Sequence, residues 1–212
     1  MARIDRAVSV FELEIERDGI EYRPGDCTLL IRGDQIDSRP YSFSSHPDEP
    51  VLRFLVRRID GNAEDQSFSR WLSTLGPGDE VGVGTPFGWF RPGTSQHEVW
   101  FATGTGVSPF LAALRARHPV RPLAFPIGLR GPDDAVLRGW VEERSPAAWA
   151  FSRFPEGESQ PLRVTDFAHL VPVGPEIQYF LCGNQRMIRA VALTLVSRGI
   201  LRSQIHEELF FQ

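Results

Sequence analysis

The chain contains no lysine; all 23 basic side chains are arginines. That excludes a P-loop lysine, a Schiff-base lysine and pyridoxal chemistry. Compositional bias explains the absence more simply than selection at each site. There are two cysteines, Cys27 and Cys182, too far apart in sequence for a disulfide framework or a metal knuckle. A reduced, cytoplasmic setting is the expectation. The five histidines show no ligand spacing, so no metal site is expected. No G-x-S-x-G string is present, which leaves a hydrolase no foothold. No apolar run approaches the length of a membrane span, and no apolar stretch of signal-peptide type follows Met1. A net charge of −4 argues against general nucleic-acid binding.

What is present is a chain of 212 residues, 42% hydrophobic, enough for one large or two small domains. Residues 1–95 read as β. Residues 8–15 alternate with period two, and strands are expected at 27–31, around Arg39, and at 51–59. Turn signals at Asp18-Gly19, Arg23-Pro24-Gly25-Asp26 and Gly76-Pro77-Gly78 separate them. Phe68, Trp71, Leu72 and Leu75 fall at i, i+3, i+4, i+7, which predicts one short amphipathic helix. Short strands with dense turns fit a closed antiparallel barrel. From residue 96 strand and helix alternate, predicting a parallel sheet with ligands at the carboxyl ends of its strands. Helices are expected at 110–117, 134–144 and 187–197. The tail should fray unless its aromatics find a partner.

Three stretches carry chemistry. Arg39-Pro40-Tyr41-Ser42 combines a guanidinium fork for a phosphate, a rigid ring face and a neutral donor. A flavin nucleotide needs such a set; the plain alternative is an edge strand. Gly104-Thr105-Gly106-Val107-Ser108-Pro109 approximates a dinucleotide fingerprint, with Pro109 in place of the third glycine. Two glycines and a following helix N-terminus still suit a diphosphate. Ser152-Arg153, past a predicted strand end, could grip a 2′-phosphate. Cys182-Gly183-Asn184 ends another strand and leaves room for a flat ring. Arg115, Arg117 and Arg121 read as a solvated helix face more than as a docking patch.

Together these motifs resemble the ferredoxin–NADP reductase superfamily, from about Gly25 to Phe211. The carriers are Arg39-Pro40-Tyr41-Ser42, Gly104 to Phe110, Cys182 to Met187, and Glu208 with Phe210. The resemblance implies an N-terminal Greek-key barrel for FAD (residues 1–95) and a Rossmann-like domain for NAD(P)H (96–212). Arg39 would pair with the flavin diphosphate, Tyr41 would pack on the ring, and Ser42 would donate near N5. Pro40 would stiffen that strand end. Leu55, Val56 and Arg57 would line the flavin through their backbone. Ser67, Phe68 and Ser69 would meet the diphosphate. Gly104, Thr105 and Gly106 would form the nicotinamide nucleotide loop, with Thr105 between both cofactors and Gly183, Asn184 and Met187 beside it. Ser152, Arg153 and Arg163 would hold the 2′-phosphate. Cys182 would flank the nicotinamide, Glu208 would supply an acid, and Phe210 would stack on the flavin as a gate. The departures are Asp26 for the usual Gln, Ser108 for the usual Ala, and Gln212 beyond the usual aromatic end.

The implied activity is electron transfer between NADPH and a separate ferredoxin or flavodoxin through FAD, with NAD(H) the less favoured nucleotide. The expected protein is a monomer, without a membrane or nucleic-acid partner. The rivals are a flavin reductase, an NADH-dependent reductase component of an oxygenase, and a non-enzymatic sensor that keeps the fold.

Overall fold

The structure is a computed structural model and describes residues 9–33, 37–58, 67–153 and 163–209. Its first half contains strands β1 (Val10–Glu16), β2 (Cys27–Ile31), β3 (Ser38–Ser42), β4 (Val51–Arg57) and β5 (Gly82–Val83), with helix α1 (Phe68–Thr74) before β5. β1 pairs with β4, and β2 lies between β3 and β5, all antiparallel. The bridge from Phe43 to Phe54 joins the two sheets. They enclose one core built on Phe11, Leu13, Leu30, Phe43, Leu52 and Phe54, which α1 closes with Phe68 and Leu72.

The β1–β4 ribbon is two-sided, as period two requires. Phe11, Leu13, Phe54 and Val56 face that core. Val10 and Leu55 instead join the core of the second half, with Phe90. Glu12 and Arg57 belong to the same outward face and meet partners there.

The second half contains β6 (Glu98–Thr103), α2 (Ser108–Leu114), β7 (Phe125–Leu129), α3 (Arg138–Arg144), β8 (Ala147–Phe151), β9 (Gln178–Gly183), α4 (Gln185–Ser197) and β10 (Ile205–Leu209). The sheet is parallel, in the order β10-β9-β6-β7-β8. The order reverses at β6, which makes its carboxyl end a topological switch point. Side chains alternate between faces. Trp100, Phe180 and Cys182 meet α2 and α3, while Val99, Phe101, Tyr179 and Leu181 meet α4.

The segment between the halves is pinned by a buried carboxylate. Glu98 accepts from the N–H groups of Gly93, Thr94 and Ser95 and from Trp100 Nε1. Four donors converging on one carboxylate offset the loss of its hydration.

Two expectations need correction. The helix predicted at 134–144 starts four residues late. Pro132–Asp134 forms a 3-10 turn, and Ala135 and Leu137 leave helical dihedral space. The Asp134 carboxylate is engaged by Ser9 and Arg57 of the other half. Residues 205–209, read from the sequence only as a tail, form a strand. They add β10 to the free edge of β9, where the backbone finds ladder partners. Phe210, Phe211 and Gln212 lie outside the described residues. Among the described residues no helix is long and apolar enough to cross a membrane.

Candidate functional site

The site grows from the switch point. β6 ends at Thr103, and the chain turns through a single 3-10 turn, Gly104–Val107, into α2. The Ser108 hydroxyl donates to Thr105 O at 2.7 Å and ties the loop to the helix. Next door, Gly183 closes β9 with φ +140°; a Cβ there would lie 2.1 Å from Thr103 Oγ1. A Cβ on Gly106 would lie 2.6 Å from Cys182 O. The glycines are therefore set by backbone-to-backbone packing of the two strand ends. Thr103 Oγ1 also accepts from the N–H and side-chain amide of Asn184, each at 3.0 Å. Asn184 caps α4 by accepting from Met187 N–H at 2.9 Å. Met187 itself packs in the core under α4, so its side chain does not line the crevice.

The first half brings β3 to the same region. Ser42 pairs with Cys27, and Cys27 in turn bridges to Phe87. Glu208 raises both the Cys27 and the Cys182 thiols, and Cys27 adds to the rise at Cys182, so the first half comes near the end of β9. Burial, then Glu208 and Asp26, push the Cys27 thiol up to about 11. Burial pushes Cys182 well above the ordinary thiol range. Burial also raises the Glu208 carboxyl, opposed by the nearby Arg91 guanidinium. Arg91 is anchored by Asp26 at 2.6 Å and by Gly88 O at 2.7 Å. Glu208 sits opposite Cys182 in the ladder only because β10 forms.

A second cluster lies at α1. Tyr41 faces Phe68 at 6.2 Å between ring centroids, and burial pushes its phenol up to about 12. The Arg39 guanidinium stands 6.0 Å over the Phe68 ring, pairs with Asp37, and keeps its side chain 58% exposed. Ser69 is buried, and its hydroxyl has no hydrogen-bond partner. Ser67 is the N-cap residue, without a side-chain cap bond. A cation, a ring and an orphaned donor fit an anionic diphosphate attached to a flat ring. Leu55 and Val56 place their side chains in opposite cores, which leaves only their backbone for a ligand.

A third cluster is basic. Burial and the neighbouring guanidinium groups of Arg130 and Arg153 lower the Arg57 pKa, opposed by Asp134. Arg153 N–H donates to Arg130 O at 2.8 Å, and Ser152 N–H to Leu129 O at 3.0 Å. Both bonds place Ser152-Arg153 at the carboxyl ends of β7 and β8, exposed. Arg163 is exposed on a segment whose Val164 lies against Gly128. Sequence reasoning placed Arg153 but missed Arg130, which directly follows β7; its position after a parallel strand was the available signal. Cys27 and Arg91 were also missed, because only strand register and chain crossing bring them in.

No family model matches the chain. The chain is 27% identical over 222 aligned positions to the ferredoxin–NAD(P)+ reductase CarAd of Metapseudomonas resinovorans, covering 95% of this chain and 65% of that protein. It is 26% identical over 238 aligned positions to a component of the Na+-translocating NADH–quinone reductase of Pseudomonas paraeruginosa, covering 94% of this chain and 58% of that protein. The chain thus spans about three fifths of the length of these curated relatives. A ferredoxin NADP+ reductase from Neisseria gonorrhoeae, solved with bound FAD and NADP, superposes with a TM-score of 0.79 at 18% identity, over 96% of this chain and 93% of that one. The two-domain architecture of antiparallel sheets followed by a five-stranded parallel sheet is common to both.

Proposed function

With a fold and sequence relatives that are those of the ferredoxin–NADP+ reductase family, we propose that this chain is an FAD-dependent oxidoreductase that takes hydride from NADPH. One observation carries the reading. The switch-point strand ends meet in a glycine loop, Arg57 of the first half reaches that loop beside Arg130 and Arg153, and a separate cation, Arg39, stands over Phe68 at α1. When bound, a flavin would supply the redox chemistry, taking up one hydride with its electron pair and releasing the two electrons singly.

The chain supplies position. Arg39, Ser67 and the orphaned Ser69 hydroxyl hold the flavin diphosphate, with Phe68 beneath Arg39. Tyr41 would pack on the ring, Pro40 would stiffen its strand, and the backbone of Leu55, Val56 and Arg57 would line the flavin edge. Ser42 would donate near the ring nitrogen that receives hydride. Gly104, Thr105, Gly106, Gly183 and Asn184 would seat the nicotinamide nucleotide, and Cys182, its side chain buried in the core beneath, would back the strand end that the ring meets. Ser152, Arg153 and Arg163, joined by Arg130, bind the 2′-phosphate. Glu208, whose carboxyl is pushed up by burial, can hold a proton near the crevice above the ordinary carboxylate range. Phe210, outside the described residues, would cover the flavin face that the nicotinamide must take.

The electron acceptor is a separate ferredoxin or flavodoxin. The protein works as a cytoplasmic monomer, with its domains meeting near residues 95 and 96. Purified protein should carry one FAD per chain and bleach on adding NADPH faster than on adding NADH. Arg153→Ala should erase that preference, and Phe210→Ala should raise NADH use. Colourless protein that reduces added free flavin would instead mark a flavin reductase.

A further inference from the structure

We propose that Arg115 is a positioning residue for hydride transfer: through α2 it fixes the distance between the glycine loop and β3. This rests on the flavin and nicotinamide sites assigned under the proposed function. Arg115 caps the carboxyl end of α2, and its side chain is only 9% exposed. It is therefore not part of a solvated basic face. Its Nη1 and Nη2 fork onto Glu12 of β1 at 2.8 and 3.0 Å. The same Nη1 donates to Ser44 O at 2.6 Å, and the Ser44 hydroxyl donates to Glu12 at 3.0 Å. Ser44 is fully buried, two residues beyond Ser42. The guanidinium also lies over the Trp140 ring at 5.3 Å, which limits its own movement.

The other end of α2 carries the glycine loop. Ser108 is bonded to Thr105 O through both its backbone N–H and its hydroxyl. All seven residues of α2 are buried, so the helix is a close-packed strut about 10 Å long. One end holds Thr105, and the other is bolted to Glu12 and Ser44. The strut thereby sets where a nicotinamide ring seated on the loop meets a flavin seated on β3. Reaction between two held rings is steep in their separation: a misplacement of about 1 Å can cost roughly 100-fold in rate.

The groove beside Arg115, about 460 Å³ and lined by Arg53, Arg117 and Arg144 as well, has the charge of an anion site, but most of that charge is already paired. Arg53 pairs with Glu12, Glu14 and Glu49, and Arg144 pairs with Glu143. The cluster fastens the two halves together.

The test compares wild type, Arg115→Gln, and the double variant Glu12→Gln with Arg115→Gln, which removes the stranded carboxylate and keeps the fold testable. Flavin content, NADPH dissociation constant, single-turnover flavin reduction by NADPH, and reoxidation by ferricyanide are measured on each. Positioning predicts hydride transfer slowed about 10- to 100-fold in both variants. Flavin content, NADPH affinity and reoxidation should hold within about twofold, by the logic that only a transition-state interaction was lost. Hydrogen exchange on the flavin-free chains gives an independent readout. Amides of 42–45 and of 104–107 should both exchange faster in the variants, although α2 separates them. Unchanged hydride transfer in a loaded variant overturns the proposal. So does a loss that tracks flavin content, or exchange confined to 42–45. A wild type that NADPH does not bleach would bring down the underlying function, whatever the exchange data show about the strut.

Discussion

The two ends of the crevice are built on opposite principles. At the switch point the site is made of backbone: Gly106 and Gly183 touch neighbouring main chain, and Thr103 and Asn184 lock the strand ends together. At α1 it is made of side chains, with Arg39 paired to Asp37 yet largely exposed and the Ser69 hydroxyl buried without a bond. The first arrangement is finished in the ligand-free chain. On the proposed function, the second would be completed by the ligand it binds. Substitutions at the former should therefore register as lost stability, and at the latter as lost affinity.

The largest effect belongs to Gly183→Ala. A Cβ would fall 2.1 Å from Thr103 Oγ1 and 2.9 Å from Thr103 O at φ +140°. We expect a loss on the order of 3–5 kcal/mol, read from denaturant midpoints. A mild effect would show that the strand ends are not close-packed.

Ser69→Ala should separate the two principles. Its hydroxyl bonds to nothing in the protein, so stability should change by less than about 0.5 kcal/mol. Flavin affinity should fall roughly 10-fold, the value of one hydrogen bond to a charged group. A clear loss of stability with unchanged flavin affinity would break the comparison.

Glu208 gives a smaller, pH-dependent effect. Burial raises its carboxyl above the unfolded value, so folding favours the protonated form. The cost of holding the carboxylate is absent in acid, where both states are protonated. It builds as pH rises from the unfolded pKa through the folded one, and stays above that. Glu208→Gln should raise the Tm modestly at pH 7 and leave it unchanged near pH 3. Equal shifts at both pH values would contradict this.

The smallest change concerns the thiols. Cys27, pushed up to about 11, and the fully buried Cys182 should resist iodoacetamide at pH 8 in the folded chain and react on denaturation. Rapid labelling of either would show that the crevice opens.

Most of the frame is legible locally. Period two marks β1, the i, i+3, i+4, i+7 spacing marks α1, and strand-loop-helix grammar locates the glycine turn. What escapes depends on distant partners. α3 starts late because Ala135 and Leu137 depart from helical geometry beside an Asp134 engaged by the other half. β10 exists because β9 offers it an edge, and Glu208 reaches Cys182 only through that pairing. Arg115 looks solvated from its neighbours in sequence, yet it is buried by Glu12 and Ser44, which lie on the other half. Met187 reads as part of the binding set because it follows Asn184, but the helix phase turns it into the core. Short-range pattern finds elements; contacts between the halves decide which side chains the site keeps.

The central claim is tested most directly by adding NADPH anaerobically to the purified chain and following the visible flavin absorbance. A bound FAD, one per chain, should bleach in a single turnover and recover when a one-electron acceptor is added. A chain that binds no flavin, or whose bound flavin neither NADPH nor NADH bleaches, would contradict it.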